Sequence, residues 1–399
     1  MIAETERTFF CELTECDFGN LCTILQDEKA MYAYEHAFSE GEVREWLERQ
    51  IERYRIYGFG LWAVKDKKSG EFLGQCGITM QKWDDALVPE IGYLFRRKFW
   101  HLDFMWGFEG VAHEKDGGGV QFNGEMADLE ATYLVGKVKA KVHPFVEYFK
   151  FLKQFEDEQT VAKYTIPAPA QMYQQMIVPQ NIEQTRKFYA TDEELIEDIG
   201  KAYQDVIKQF YAAGCRNLQL DDCTWGAIVG DAAKQRYQSL GVDIEEVKSR
   251  LLKVNNLALE NRPEDMVITS HICRGNYHST FFTSGPYDSV ADYVFAQEHV
   301  DALLLEYDDE RSGGFAPLAK VSPDKKVVLG LITTKKPELE DKDKVIARIH
   351  EAAKYIPLDR LCLSPQCGFA SCEIGNKLTE DQQWAKLALV KEIAEEVWK

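Results

Sequence analysis

VDALLLE (300–306) and VVLGLI (327–332) are almost continuously apolar, and these two segments decide the fold class. Strands of this composition are typical of parallel sheets that helices cover on both faces. From about residue 160 onward, similar short β-rich segments alternate with long helical patterns. The alternation predicts an α/β fold with parallel strands and right-handed crossovers. The predicted strands are 161–166, 217–221, 266–272, 300–306, 327–332 and 361–364.

The number of strands indicates an incomplete barrel. A TIM-type barrel has eight parallel strands, each followed by a helix. Because only six strands fit the sequence, we predict a (β/α)8 TIM-type barrel that lacks its usual first strands. The predicted helices of this barrel are 192–213, 244–260, 287–297, 342–355 and 380–398.

The region before the barrel follows a mixed α/β pattern. Residues 40–56 carry apolar side chains at helical spacing, and Ser39 is the expected N-cap with Glu42 as its capping-box partner. A short turn separates the first two of the strands that follow, which predicts an antiparallel hairpin. The predicted strands of this region are 58–65, 72–80 and 90–95.

Composition limits the functions that are open to the chain. It has 399 residues, and 47 Lys and Arg against 66 Asp and Glu give a net charge of −19. This charge argues against a broad surface for nucleic acid or anionic membrane. The sequence shows neither an apolar run of bilayer length nor a signal-peptide pattern. We expect a cytoplasmic protein with no nucleic-acid or membrane partner and two domains, 1–95 and 96–399.

Four side chains that can bind a metal lie at the ends of predicted barrel strands. His271 and Cys273 share one face at the end of their strand, Glu306 ends the next, and Cys367 follows the last. In a TIM barrel these strand ends meet on one rim. One nitrogen, two sulfurs and one oxygen suit tetrahedral zinc. The alternative is a hydrogen-bonded histidine beside cysteines that only pack, and the residues alone leave both interpretations open.

The barrel region resembles a known family, the cobalamin-independent methionine synthases in their short single-barrel form. The resemblance covers about residues 96–399 and depends on several segments in combination. These segments are WHLDF (100–104), KYTIPAP (163–169), AAGCRNLQLDD (212–222), SHICRGNYHS (270–279), LEYDDERSGGFAPL (305–318), VLGLITTK (328–335) and LSPQCGFAS (363–371).

This resemblance implies a site and a reaction. By motif, the zinc ligands of the family fall on His271, Cys273, Glu306 and Cys367. The family transfers a methyl group to the thiol of homocysteine, and a methyl-folate is the donor that the resemblance implies. A family aspartate that holds the amino group of the substrate falls on Asp221, with Asp222 as the weaker candidate. Trp225 is a candidate for stacking on a flat donor, and its alternative role is packing.

The N-terminal region resembles the first half of a GNAT N-acetyltransferase. The matching segments are WLERQIERYRIYGFGLWAVKDKKSGEFLGQCGI (46–78) and EIGYLFRRKFW (90–100). In that family a glycine-containing loop then binds the pyrophosphate of acetyl-CoA at a helix start. Residues 96–103 lack those glycines, and Asp103 would repel phosphate. We therefore do not expect acetyl-CoA to bind.

The junction between the two regions leads to a structural hypothesis. Leu94 stands where methionine synthases carry a glutamate for the amino group of the substrate, and the first barrel strand with its His-x-Gly-Ser motif is missing. We predict that residues 90–95 take the second barrel position and pair with 161–166. Three functions follow: a zinc-dependent thiol methyltransferase, a zinc-binding but catalytically impaired fusion protein, or a residual GNAT-type acetyltransferase.

Overall fold

The computed structural model divides the chain into two compact units. The first comprises residues 1–102 and the second residues 103–399, apart from 372–374. Within the described residues, no helix is both long and apolar enough to cross a membrane. The structure describes residues 2–5, 8–27, 31, 36–67, 70–83, 86–95, 104–114, 119–124, 126–128, 131–158, 160–239, 241–370 and 375–399.

The N-terminal unit contains a five-stranded sheet in which every neighbouring pair is antiparallel. The predicted helix and hairpin of this unit are confirmed. Its strands are β1 (Ala3–Glu4), β2 (Thr8–Cys11), β3 (Leu61–Asp66), β4 (Phe72–Trp83) and β5 (Ala86–Phe95), and its helices are α1 (Phe18–Leu25) and α2 (Glu40–Tyr57).

Helix α2 begins and ends at residues suited to those positions. The backbone N–H of Ser39 donates to the Glu42 carboxylate at 2.8 Å, and the Glu42 N–H donates to Ser39 Oγ at 3.4 Å. The helix ends at Gly58, whose φ of 74° lies in the left-handed region that favours glycine. Val43 and Leu47 on its inner face are fully buried in the core of the unit.

Strand β5 belongs to this antiparallel sheet, so the predicted barrel position of residues 90–95 is wrong. It pairs with β4 along its whole length, from Gly74 opposite Phe95 to Trp83 opposite Ala86. No pairing joins it to the barrel strand at 163–167 in the described part of the chain. The physical reason is connectivity, because two residues suffice to join antiparallel strands whereas a parallel pair needs a long crossover.

The C-terminal unit is built around a parallel sheet of six strands in sequence order. The six predicted strands are confirmed to within two residues at each end. The edges of this sheet, as far as the structure describes it, are its first and last strands, as expected for a barrel that lacks two strands. The six are β10 (Lys163–Pro167), β11 (Asn217–Asp222), β12 (Val267–Ile272), β13 (Ala302–Glu306), β14 (Lys326–Ile332) and β15 (Leu361–Pro365).

Short antiparallel pairs and helices complete the unit. Strand β6 (Glu109–Glu114) pairs with β9 (Ala131–Lys139), and β7 (Gly119–Gln121) pairs with β8 (Met126–Asp128). The helices are α3 (Phe145–Lys153), α4 (Pro169–Ile177), α5 (Ile182–Thr185), α6 (Asp192–Ala212), α7 (Cys223–Ala227), α8 (Gly230–Ser239), α9 (Ile244–Leu259), α10 (Asp288–Ala291), α11 (Val294–Gln297), α12 (Lys342–Ala352) and α13 (Glu380–Val397).

One predicted helix is interrupted. The sequence predicts a single helix over 287–297, and the structure has the two short helices α10 and α11 instead. The N–H of Tyr293 donates to the carbonyl of Val290, three residues back, which tightens the turn between them. The ψ angle of −74° at Tyr293 also departs from helical geometry.

Candidate metal centre

Four potential metal ligands converge at the carboxyl ends of neighbouring strands. His271 lies one residue before the end of β12, Cys273 directly follows that strand, and Glu306 is the last residue of β13. Cys367 lies two residues beyond β15. Because all of these strands are parallel, their ends form one rim. The structure therefore brings together the four residues that the sequence selects as ligands.

The spacing of the four side chains suits a zinc ion. Their ligand atoms all lie within 4.8 Å of one another, and His271 Nε2 is 3.9 Å from Glu306 Oε1. Zinc bonds of about 2.0–2.3 Å place tetrahedral ligand atoms roughly 3.3–3.8 Å apart. Glu306 is fully buried and His271 is 5% exposed. The group therefore needs only a small contraction to coordinate zinc.

The imidazole of His271 has the orientation of a metal ligand. Its Nδ1 lies 3.3 Å from the carbonyl oxygen of Leu304, which accepts a hydrogen bond from Nδ1–H. Its Nε2 is buried and makes no hydrogen bond of normal length. A backbone carbonyl on Nδ1 commonly selects the tautomer whose Nε2 lone pair binds a metal. A metal at this position would give the buried Nε2 a partner.

The ionisable groups of the site alter the pKa values of one another. Burial by itself would lower the pKa of His271, but Cys367, Asp221 and Glu306 outweigh it and raise that pKa to about 10. Neighbouring thiols and burial raise the pKa of Cys273 well above its usual value. Burial also raises the pKa of Glu306. Such a concentration of potential anions favours a bound cation, which stabilises thiolates and carboxylates together.

Two arginine residues hold the carboxylate of Glu306, one through its backbone and one through its side chain. The backbone N–H of Arg274 donates to Oε1 at 2.8 Å, and the Arg311 guanidinium donates to Oε2 at 2.9 Å. Arg311 also donates to Asp308 at 2.7 Å, and Asp308 accepts from Lys335 at 3.2 Å. Contacts of this kind orient a metal ligand and adjust its basicity.

The three residues proposed for substrate binding lie in different environments. Asp221 is half-buried beside Cys273, its Oδ1 has no hydrogen-bond partner, and burial raises its pKa to about 6. Asp222 is fully buried, caps α7 by accepting from Thr224 N–H, and also accepts from Asn255, both at 2.8 Å. Trp225 is fully buried. Of the three, Asp221 lies beside the metal ligands, whereas Asp222 has capping contacts and Trp225 lies in the core.

The sequence analysis did not select Cys223, which the structure places at the same rim. Its Sγ, the Cys273 Sγ and a carboxylate oxygen of Asp221 lie within 4.8 Å of one another. The signal was present in the sequence, since Cys223 follows a predicted strand directly, as Cys273 does. The rim therefore carries a second group of potential ligands that shares Cys273 with the first.

Comparisons with known proteins agree with this architecture. Residues 182–395 match the family described as "Cobalamin-independent synthase, Catalytic domain". The chain is 43% identical over 307 residues to the uncharacterised protein YxjG of Bacillus subtilis, which covers 76% of this chain and 79% of that protein. A crystal structure from Listeria monocytogenes, assigned provisionally as a vitamin-B12-independent methionine synthase, matches with a TM-score of 0.57 and 33% identity, covering 76% of this chain and 79% of that one.

The chain therefore belongs to the cobalamin-independent synthase catalytic-domain family. The resemblance inferred from the barrel segments is confirmed, and so is the α/β fold with a TIM-like parallel sheet. Membership of this family makes the protein methyltransferase-like.

The N-terminal region matches a different family. Residues 7–110 match the acetyltransferase (GNAT) domain, which confirms the second resemblance. A stretch of 77 residues is 39% identical to the uncharacterised protein YkkB of Bacillus subtilis, and it covers 19% of this chain but only 45% of that protein. Residues 96–103, where the sequence lacks the expected glycines, lie outside the described residues.

Proposed function

We propose that this protein is a zinc-dependent methyltransferase that methylates a small thiol of the homocysteine type. The observation that supports the proposal best is the convergence of His271, Cys273, Glu306 and Cys367, with a buried His271 Nε2 that makes no hydrogen bond of normal length. When bound, zinc would hold a substrate thiol as the nucleophilic thiolate near neutral pH.

The residues of the chain hold and orient the reactants. The four ligands would hold the metal, and Arg311 keeps the Glu306 carboxylate in place. The unpartnered Oδ1 of Asp221 is available to accept a hydrogen bond from the ammonium group of an amino-acid substrate. As the substrate sulfur forms its bond to the methyl carbon, the bond from that carbon to the donor breaks, and the donor keeps the electron pair.

We propose a methylated folate as the donor and the cytoplasm as the location. Both are inferred from the family resemblance.

A second candidate function is zinc binding without turnover. The number of strands favours it, because the sheet has six strands in the described part of the chain and a complete barrel has eight. The presence of Leu94 where the family resemblance expects a carboxylate favours it as well.

Metal content and methyl transfer distinguish the two candidates. Zinc is measured in the purified full chain, in Cys367→Ser, and in the control Cys362→Ser, whose thiol lies within β15 and outside the ligand group. We expect about one tightly held zinc ion in the parent and the control, and a large loss in Cys367→Ser. Methionine formation from homocysteine and methylated folate would then support the methyltransferase. Zinc without turnover would support the second candidate, and a folded parent without zinc would contradict both.

A further inference from the structure

Two groups of potential ligands meet at Cys273. The first is the four-residue group described above, and the second consists of Asp221, Cys223 and Cys273. The ligand atoms of the second group also lie within 4.8 Å of one another. Two thiols and a carboxylate suit a borderline-soft divalent cation, and three protein ligands leave a fourth position open.

The backbone holds the two cysteines of the second group close together. The N–H of Cys273 donates to the carbonyl oxygen of Asp222 at 3.1 Å, which joins the segments that carry the two thiols. Helix α7 begins at Cys223 and is capped by the Asp222 carboxylate through Thr224. Its Gly226 lies against the other segment, because a Cβ at this position would be 2.1 Å from the Cys273 carbonyl oxygen. The tight packing of α7 against this segment therefore holds Cys223 beside Cys273.

The carboxylate of Asp221 supplies an independent observation. Its Oδ1 is buried and has no hydrogen-bond partner. A buried carboxylate oxygen without a partner is costly, and a cation or a donor group on a ligand would remove that cost. The cation would also contact Cys223 and Cys273, whereas an ammonium group would need the carboxylate alone.

We propose that the protein binds a second divalent cation of the zinc or cadmium type on Asp221, Cys223 and Cys273, with the Cys273 thiolate bridging both metals. The proposal rests on the zinc site of the proposed function, because the two sites share this thiolate. It adds a coordination position beside the first metal that a further thiol could occupy. The second cation and the ammonium group of an amino-acid substrate would compete for Asp221, because both use the same carboxylate.

Cadmium titration of the full chain tests the proposal. The protein is stripped with a chelator, titrated with Cd²⁺, and followed by cadmium–thiolate absorption and by bound metal after desalting. We expect about two cadmium ions per chain in the parent and in Cys362→Ser, and about one in Cys223→Ser and in Cys223→Ala. Cys273→Ser removes the shared ligand and is expected to weaken both sites, whereas Cys367→Ser weakens only the first.

The outcomes separate this proposal from the proposed function. One cadmium ion in both the parent and Cys223→Ser would overturn the second site and leave the first intact, with Asp221 free for a substrate ammonium group. No cadmium in a parent that circular dichroism shows to be folded would overturn both. Equal loss of both ions in Cys223→Ser and Cys362→Ser would also overturn the proposal, because the effect would not depend on the rim.

Discussion

The two sheets of this chain bring residues together in different ways. In the N-terminal sheet, β3, β4 and β5 pair with their neighbours along the chain through short connections. In the C-terminal sheet, parallel pairing places Asp221 beside His271 although α8 and α9 lie between them in the sequence. A parallel sheet can therefore gather ligands from distant segments at one rim, whereas consecutive hairpins pair segments that are close in sequence.

The largest expected effect comes from a methyl group at a close backbone contact in each unit. Gly226→Ala would place Cβ 2.1 Å from the Cys273 carbonyl oxygen, and Gly77→Ala would place it 2.0 Å from the Gly60 carbonyl oxygen. We expect each change to destabilise its own unit by about 1–3 kcal/mol. Only Gly226→Ala is expected to lower zinc content, because it moves Cys273. Thermal unfolding and metal analysis measure the two effects.

Loss of zinc in Gly77→Ala as well would contradict the expected difference between the two variants. It would show that the metal site depends on the N-terminal sheet and not on the rim of the parallel sheet alone.

A smaller effect on the metal is expected from Arg311→Met, which removes the donor to Glu306 Oε2. Changes to residues that orient a ligand weaken metal binding by about 10–100-fold. Competition with a chromophoric chelator measures the affinity. Lys320→Met is the control, because Lys320 forms an exposed pair with Asp292 and contacts no ligand. An unchanged affinity in Arg311→Met would contradict the orienting role of the arginine.

The pH dependence of stability is expected to differ between the parent and Glu298→Gln. Burial, with a contribution from Asp222, raises the pKa of Glu298 to about 8. The unfolded carboxyl has a pKa of about 4.3, so between these values the folded chain holds a proton that the unfolded chain releases. The resulting stabilisation is complete below the unfolded pKa and is lost as the pH rises through about 8.

Urea unfolding of both proteins from pH 5 to pH 9 checks this expectation. Stability should fall with rising pH more steeply in the parent, by up to about 1.4 kcal/mol for each pH unit between the two pKa values. Parallel curves for the two proteins would contradict the raised pKa of Glu298.

The smallest expected effect concerns two matched helix caps. Ser39 caps α2 in the N-terminal unit and Thr379 caps α13 in the C-terminal unit, each in a capping box. Either change to alanine should cost about 1 kcal/mol of the stability of its own unit. Neither cap contacts a ligand, so zinc content should stay the same in both variants. A change in zinc content in either variant would indicate that the site depends on these helix ends as well.

Much of the barrel could be predicted from local pattern. Apolar strands and capped helices can be recognised from short stretches of sequence. The six strands therefore begin and end close to their predicted residues. The prediction of a single helix over 287–297 was wrong, because the sequence pattern shows no break there. In the structure the backbone tightens at Tyr293 and interrupts the helix. Residues of β5 were predicted correctly as a strand, but the strand with which they pair was not. The choice of partner depends on which of the two sheets the strand joins, and the local pattern does not encode it.

The sequence by itself determined the fold class, the order of the strands and the placement of His271, Cys273, Glu306 and Cys367 at strand ends, because these depend on periodicity and residue type. Only the tertiary structure decided the rest. It placed Cys223 beside Cys273 and left the Oδ1 of Asp221 without a partner. Distances between segments far apart in the chain follow from packing and strand register, and no local pattern encodes them.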